Sequence, residues 1–258
     1  MKRLDQKVVI VTGGAQGIGQ AIVRKCAFEG ARVVFFDIDV AGAQATQAWL
    51  TDEGLSAGYL EVDLTREDQI RVGVERVVKI FGTIDALVNN AGVNTYFDAD
   101  AMTEAEWDRV FAVDLKGAWL CAKHVLPVMK ANGRGSIVNI SSIHATLTMA
   151  GMFPYAAAKT GLIGLTRSLA LDYAPFGIRV NAVSPGWTRT RLIEEWFALQ
   201  PDPAAAEGTI LKALPLGRLA EPEEVANLVA FVASDEASAI TGAALNVDCG
   251  HSIVQAGT

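Results

Sequence analysis

The feature of the sequence that most constrains the fold is the passage from residue 8 to residue 19, which reads VVIVTGGAQGIG. Its first four residues are β-branched and apolar, a pattern typical of a strand buried on both faces of a parallel sheet. A helical pattern follows from about Gln20 to Phe28. A strand that turns on glycine into a helix directs backbone N–H groups and the positive helix terminus at one point, which suits the pyrophosphate of a dinucleotide. The passage therefore predicts either a phosphate site or a tight structural turn.

The segment that follows favours the phosphate site. Residues 32–36 form a second apolar run, and Asp37 comes directly after it. An acidic residue at the end of the second strand, roughly 20 residues beyond the glycines, is placed to hold the hydroxyls of an adenosine ribose. The strict fingerprint G-x-G-x-x-G is absent, because Ile22 occupies the position of its third glycine. Asp37 also predicts NAD as the cofactor in preference to NADP, because its charge would repel a 2′-phosphate.

Strand and helix patterns alternate along the rest of the chain. This alternation predicts a single α/β domain over residues 1–258, a Rossmann-type doubly wound parallel sheet of about seven strands with helices on both faces. Thr65 is expected to cap the helix after the third strand, and Thr103 is expected to begin one continuous helix that runs as far as Cys121. Residues 187–216 depart from the alternation, since prolines and a glycine interrupt a helical pattern there. We expect this segment to form a lid over the site.

Composition excludes several classes of function. The 258 residues are 51% hydrophobic, enough for a sizeable core, and the net charge of −7 argues against a nucleic-acid partner. Neither a membrane-spanning apolar stretch nor the apolar core of a signal peptide is visible in the sequence. The three cysteines are widely spaced, which predicts buried thiols and no metal site. A cytoplasmic protein with a small-molecule substrate is expected, with no membrane partner.

Tyr155 and Lys159 carry the argument about chemistry, since they lie one helical turn apart on the same face of a predicted helix. A tyrosine hydroxyl has a reference pKa near ~10, and a nearby ammonium together with a cationic nicotinamide would lower it. Ser142, at the end of the fifth predicted strand, can hydrogen-bond the same substrate oxygen. These groups form a complete set for alcohol–carbonyl interconversion. The alternative is that Tyr155 and Lys159 are an ordinary exposed helix pair.

Asp114 is a charged residue at a position where the helical pattern predicts burial. The apolar stripe of its helix includes Val110 and Ala118, and Asp114 falls between them at helical spacing. A buried carboxylate is unfavourable unless it is hydrogen-bonded or paired. Asp114 therefore either caps a neighbouring loop or belongs to the active site, and the sequence leaves both interpretations open.

Five motifs together resemble those of the short-chain dehydrogenase/reductase family over essentially the whole chain. They are T-G-x-x-x-G-x-G from Thr12, N-N-A-G at residues 89–92, Ser142 thirteen residues before Tyr155, Y-x-x-x-K from Tyr155, and P-G at residues 185–186. The resemblance implies a homotetramer that catalyses with Ser142, Tyr155 and Lys159, the lysine also holding the nicotinamide ribose. Asp114 departs from the family pattern, which usually has asparagine there to position a water. An aspartate could hold that water, or it could pair with Lys159 and raise the pKa of the lysine.

The resemblance also implies a set of cofactor-binding residues. Asp63 would contact the adenine, Asn90 the adjacent ribose region, and Thr188 and Thr190 the nicotinamide carboxamide. The full predicted set is Thr12, Gly13, Gln16, Gly17, Ile18, Gly19, Asp37, Asp63, Leu64, Asn90, Ala91, Gly92, Tyr155, Lys159, Pro185, Gly186, Thr188 and Thr190.

The substrate is predicted from the polar and aromatic residues near these motifs and from the lid. The candidates are Asn94, His144, Trp187, Arg189, Arg191 and Trp196, although a histidine or arginine in such a place is often structural. The lid stretch at residues 194–203 resembles that of L-fucose dehydrogenase-like members, which favours a polyhydroxylated substrate such as a sugar or a sugar-derived keto or hydroxy acid. Two alternatives remain, a 3-oxoacyl-type carbonyl reductase and a dinucleotide-binding module without turnover.

Overall fold

The computed structural model describes residues 2–93 and 97–254, which form a parallel sheet between two layers of helices. Its strands run in the spatial order β3-β2-β1-β4-β5-β6-β7, and every neighbouring pair is parallel. The strands are β1 (Val8–Thr12), β2 (Arg32–Asp37), β3 (Ala57–Glu61), β4 (Ala86–Asn89), β5 (Gly135–Ile140), β6 (Ile178–Pro185) and β7 (Ala244–Val247). The order reverses at β1, which confirms the predicted Rossmann-type doubly wound sheet.

The helices cover both faces of the sheet. They are α1 (Gly17–Phe28), α2 (Val40–Asp52), α3 (Glu67–Phe81), α4 (Glu104–Phe111), α5 (Ala118–Asn132), α6 (Tyr155–Tyr173), α7 (Arg191–Ala198), α8 (Pro203–Ala213) and α9 (Pro222–Ala233). Side chains of β1 alternate between two apolar cores: Val9 and Val11 pack with α1, α2 and α9, whereas Val8 and Ile10 pack with α3, α5 and α6. The strand is thus buried on both faces, as its β-branched run predicts.

Two predicted helix starts are wrong. The first helix begins at Gly17 and not near Gln20, because the turn after β1 is completed within residues 13–16. Thr65 does not cap α3, whose N-cap is Arg66 without a side-chain hydrogen bond. The Thr65 hydroxyl instead donates to Asp63 Oδ1 at 2.8 Å, a local bond that competes with the capping role.

The helix predicted to run from Thr103 to Cys121 is interrupted. Thr103 and Glu106 form the expected capping box at the start of α4. Residues 112–117 then form a π-helical turn between α4 and α5, where a continuous α-helix was predicted. A Cβ at Gly117 would lie 3.1 Å from Leu64 Cβ, so this turn packs closely against the loop after β3. Asp114 lies within the wide turn and is buried, as predicted.

The segment predicted as a lid contains α7 and α8 and has a small core of its own. Phe197 and Leu214 are buried there together with Leu219, which follows the segment, and Trp187 and Trp196 pack against them. Among the described residues, no helix combines the length and the apolar character that crossing a bilayer requires.

Candidate active site

A cavity of about 860 Å³ opens at the carboxyl ends of the strands, where the strand order reverses. Ligands of doubly wound sheets bind in the crevice at this place. Most of the residues predicted from sequence line this one cavity. They are Gly13, Gln16, Gly17, Ile18, Gly19, Asp37, Asp63, Leu64, Asn90, Ala91, Gly92, Ser142, His144, Tyr155, Lys159, Pro185, Gly186, Trp187, Thr188, Thr190 and Arg191.

The glycine turn after β1 requires glycine for packing as well as for conformation. Gly13 has a φ of +70°, and a Cβ on it would lie 2.8 Å from the Ala91 Cα. A Cβ on Gly19 would lie 1.8 Å from the Gly13 carbonyl oxygen, far inside van der Waals contact. Gly17, with a φ of +56°, has only the Thr190 side chain near its Cβ position, at 3.6 Å. The turn is therefore both a tight structural element and an open cradle beside the α1 N-terminus, and such a cradle fits a pyrophosphate.

The side chains of Thr12 and Asn90 connect this turn to the end of β4 by hydrogen bonds. The Thr12 hydroxyl accepts hydrogen bonds from the backbone N–H groups of Asn90 (3.0 Å) and Ala91 (3.1 Å). Asn90 Nδ2 donates to the carbonyl oxygens of Thr12 (3.1 Å) and Gly13 (3.0 Å). Thr12 is buried and does not line the cavity. Thr12 and Asn90 therefore fix the end of β1 to the segment that follows β4.

Asp37 presents a carboxylate at the far end of β2. Its Oδ2 accepts a hydrogen bond from the Ala15 N–H at 2.9 Å, and its Oδ1 accepts one from the Asp39 N–H at 3.0 Å. Asp39 lines the cavity as well, so a second acid lies beside the first. Carboxylate oxygens held at this place suit the hydroxyls of a ribose and disfavour a phosphate.

Ser142, Tyr155 and Lys159 converge on the cavity from β5 and α6. Ser142 directly follows Ser141 at the end of β5, and its Oγ accepts a hydrogen bond from the His144 N–H at 3.2 Å. Lys159 Nζ lies 5.4 Å from the centre of the Tyr155 ring. Ser141 Oγ donates to the Lys159 carbonyl at 3.0 Å, which joins the end of β5 to the first turns of α6. Tyr155 and Lys159 are thus not an exposed helix pair, since Lys159 is buried.

The Asp114 carboxylate fits both interpretations that the sequence left open, because it caps a neighbouring loop and also contacts Lys159. Oδ1 accepts a hydrogen bond from the Val93 N–H at 2.8 Å, and this bond caps the loop after β4. Oδ2 lies 3.2 Å from Lys159 Nζ, with both side chains buried. Burial by itself lowers the pKa of Lys159, but the charges of Asp114 and Tyr155 outweigh it, and the net effect raises that pKa above its ordinary value. Asp114 does not line the cavity and reaches it only through Lys159.

His144 and Arg191 are substrate candidates that line the cavity. The His144 ring lies edge-on to the Tyr155 ring with the centres 6.1 Å apart. Burial lowers the pKa of His144, and the charge of His251 lowers it further. Arg191 is largely exposed and pairs with Glu195 at 3.2 Å.

Two other substrate candidates, Arg189 and Trp196, do not line it. The Arg189 guanidinium hydrogen-bonds Glu194 and Glu207, so it joins α7 to α8. Trp196 packs against Trp187, with ring centres 5.3 Å apart. Asn94 lies outside the described residues.

Several lining residues were not predicted. They are Phe36, Ile38, Asp39, Val62, Thr65, Val93, Arg109, Val113, Ile140, Ser141, Ile143, Met152, Leu192, Ile193 and Glu195. Ile38, Asp39 and Val62 follow strands directly, so their places at strand ends were a usable signal. Arg109 and Val113 come from α4 and the π turn, and nothing in the local pattern indicates which face of those elements meets the cavity.

Known proteins resemble the chain over nearly its full length. The family model described as enoyl-(acyl carrier protein) reductase matches residues 13–252. Cis-4-hydroxycyclohexanecarboxylate dehydrogenase of Sinomonas cyclohexanicum is 43% identical over 96% of this chain and 98% of that protein. A 3-oxoacyl-[acyl-carrier-protein] reductase of Thermotoga maritima is 41% identical over 96% and 98%. The solved structure of the aldohexose dehydrogenase of Thermoplasma acidophilum superposes with a TM-score of 0.90 at 38% identity, covering 100% of this chain and 98% of that one.

Proposed function

The chain belongs to the short-chain dehydrogenase/reductase family, whose members bind a nicotinamide dinucleotide, and from that premise we propose that it is an NAD-dependent enzyme interconverting a secondary alcohol and a carbonyl by hydride transfer. The observation that carries the proposal is the convergence of Ser142, Tyr155 and Lys159 on the cavity that also contains the glycine turn. A proton-transfer group, a hydrogen-bond donor and a buried cation thus share one space with a dinucleotide cradle.

The proposed roles follow from the position of each side chain. When bound, the nicotinamide accepts or donates the hydride. Tyr155 takes the hydroxyl proton of the alcohol during oxidation and returns a proton to the carbonyl oxygen during reduction. Ser142 donates a hydrogen bond to the same oxygen, and Lys159 stabilises the Tyr155 phenolate by its charge.

NAD is proposed as the cofactor because of the acids at the end of β2. The Asp37 oxygens are held by backbone N–H groups beside the glycine turn, and Asp39 adds a second negative charge. A 2′-phosphate brought to this place would meet both carboxylates, and like charges in contact cost several kcal/mol.

For the substrate we propose a secondary hydroxyl on a polyhydroxylated molecule such as a sugar or a sugar-derived hydroxy acid. The aldohexose dehydrogenase named above supports this class, as does the polar contribution of His144 and Glu195 to the cavity. Cis-4-hydroxycyclohexanecarboxylate is a second candidate, favoured by the 43% identical relative and by apolar lining from Met152, Trp187 and Ile193.

A substrate panel tests these proposals. Purified protein is mixed with NAD or NADP and with aldohexoses, sugar acids and cis-4-hydroxycyclohexanecarboxylate, and the formation of NADH or NADPH is followed by absorbance. A 3-oxoacyl thioester with NADH or NADPH is run in the reverse direction. Turnover of the thioester alone would replace the substrate proposed here with a 3-oxoacyl group. Nucleotide binding without turnover of any compound would favour a binding module instead.

The homotetramer expected from the family resemblance stays a prediction. Light scattering on the purified protein measures it directly, because a tetramer has four times the 27.4 kDa mass of the chain.

A further inference from the structure

The carboxylate of Asp114 lies buried behind the proposed proton-transfer group. Only 1% of the residue is exposed, and Lys159 is 3% exposed. Asp114 Oδ2 lies 3.2 Å from Lys159 Nζ and, among the described residues, accepts no hydrogen bond from another donor. Gly92 makes this approach possible, since a Cβ on it would lie 3.1 Å from both Asp114 Oδ2 and Lys159 Nζ.

Lys159 is fixed on two sides. Its Nζ donates to the Ile140 carbonyl at 3.3 Å at the end of β5, and it faces Asp114 on the π turn. From there it lies over the Tyr155 ring, 5.4 Å from the ring centre. The Lys159 ammonium therefore lies next to both the Asp114 carboxylate and the Tyr155 ring.

We propose that Asp114 is a positioning residue with two effects. It holds the Lys159 ammonium beside the Tyr155 ring, and it raises the pH at which the Tyr155–Lys159 pair releases its first proton. The inference rests on the proposed role of Tyr155 in proton transfer. The carboxylate does not line the cavity, so it acts through Lys159, which does.

The direction of the effect follows from charge. With Asp114 ionised, the carboxylate offsets part of the ammonium charge, so Lys159 stabilises the Tyr155 phenolate less than an unpaired ammonium would. An uncharged residue at position 114 would leave the ammonium uncompensated. Both Tyr155 and Lys159 would then release protons more readily, because a negative charge has been removed from their surroundings. The sign is the same whichever of the two releases its proton first.

Other titratable groups nearby do not reverse this sign. His144, on the short 3-10 turn after β5, faces Tyr155 and has a lowered pKa, so it is uncharged over the alkaline range. His251 acts on His144. Arg109 of α4 lines the same cavity. Lys116, on the π turn, is exposed to solvent.

The test compares the pH dependence of alcohol oxidation in the wild type and in Asp114→Asn. Asparagine keeps an oxygen to accept the Val93 N–H and removes only the charge. We expect the midpoint of the rise in kcat with pH to move down by ~1 unit or more, the size typical of a neighbouring charge. The matched control is Asp85→Asn. Asp85 is a buried carboxylate that accepts the Val8 N–H at 3.0 Å and pairs with Arg134 at 3.1 Å, at the opposite edge of the sheet. The Asp85→Asn variant should have a lower free energy of unfolding and the same dependence of kcat on pH as the wild type.

A second measurement does not depend on turnover. Tyrosinate absorbance is titrated on the protein without nucleotide, and the Tyr155 contribution is obtained by subtracting the matching Tyr155→Phe variant, since the chain has four tyrosines. The Tyr155 midpoint should also fall in Asp114→Asn. If that variant does not fold, Asp114→Ser supplies an uncharged oxygen at the same position and should move the midpoint in the same direction.

Unchanged or higher midpoints in a folded, uncharged variant would overturn the proposal. A protein that turns over no alcohol would refute the proposed function instead, while the absorbance titration would still decide the role of Asp114.

Discussion

At the scale of single residues, the Tyr155 hydroxyl is the group on which the proposed chemistry depends most. We expect Tyr155→Phe to lower kcat by at least ~100-fold, the contribution typical of a positioned acid or base, and to leave NAD affinity close to that of the wild type. Steady-state kinetics and calorimetric NAD titration measure the two effects. Tyr173→Phe is the control on the same helix. Tyr173 packs against Phe176 and does not line the cavity, so this variant should keep wild-type kinetics. Near-normal turnover of Tyr155→Phe would contradict the mechanism.

Asp37 is expected to decide between NAD and NADP. The wild type should prefer NAD by ~100-fold or more in kcat/KM, and Asp37→Ala should weaken or invert that preference, most clearly at low salt. Kinetics with both cofactors measure the ratio. Asp52→Ala removes the same charge from the exposed end of α2 and should leave the ratio unchanged. Equal efficiency of the wild type with both cofactors would show that the Asp37 carboxylate does not meet the ribose.

At the scale of elements, two helical glycines should respond in opposite ways to alanine. In α1, Gly19→Ala places a methyl group 1.8 Å from the Gly13 carbonyl oxygen, so the turn must open and NAD binding should be lost. In α8, Gly208 has no atom within 4 Å of its Cβ position. Gly208→Ala should therefore raise the free energy of unfolding of the protein by ~0.5–1 kcal/mol, which corresponds to a rise in Tm of ~1–4 °C.

Thermal unfolding and calorimetric NAD titration of both variants check this pair. A Gly19→Ala protein that binds NAD normally would show that the turn is not rigid. A Gly208→Ala protein with a lower Tm would show that α8 is not helical at this position.

At the scale of the whole molecule, the thiols report how tightly the core is closed. Cys26 and Cys121 are fully buried, and burial raises the pKa of each to about 12. Burial also raises the pKa of Cys249. We expect all three thiols to react slowly with a disulfide reagent in the native protein and rapidly after denaturation, because thiolate and access are both needed.

If a thiol reacts only when the whole protein unfolds, bound NAD should slow its modification further, because NAD stabilises the native state. At a concentration of ~100 Kd, the ligand stabilises the native state by ~2.7 kcal/mol, equivalent to ~100-fold slower modification. If two or three thiols per chain of the native protein reacted rapidly with the disulfide reagent, with or without NAD, that result would contradict the buried core described here.

Much of the site was predictable from the sequence because its residues follow strands. Apolar runs identify the strands locally, and parallel pairing brings their carboxyl ends to one edge of the sheet. Asp37 and Ser142 each end a predicted strand, and both line the cavity. Gly92, in the N-N-A-G motif of the sequence, lines it as well. Tyr155 and Lys159 were predictable as a pair because one helical turn separates them.

What only the tertiary structure decided are the contacts between segments far apart in the chain. The π turn around Asp114 packs against Leu64, and no local propensity predicts that approach. Arg189 and Trp196 are predicted substrate residues, but the packing of α7 and α8 pairs Arg189 with Glu207 and Trp196 with Trp187, and neither lines the cavity. Asp114 and Lys159 form an ion pair across 45 residues. The sequence determined which groups are present and on which elements. Their partners depended on how those elements pack, because burial and charge pairing act through distances in space.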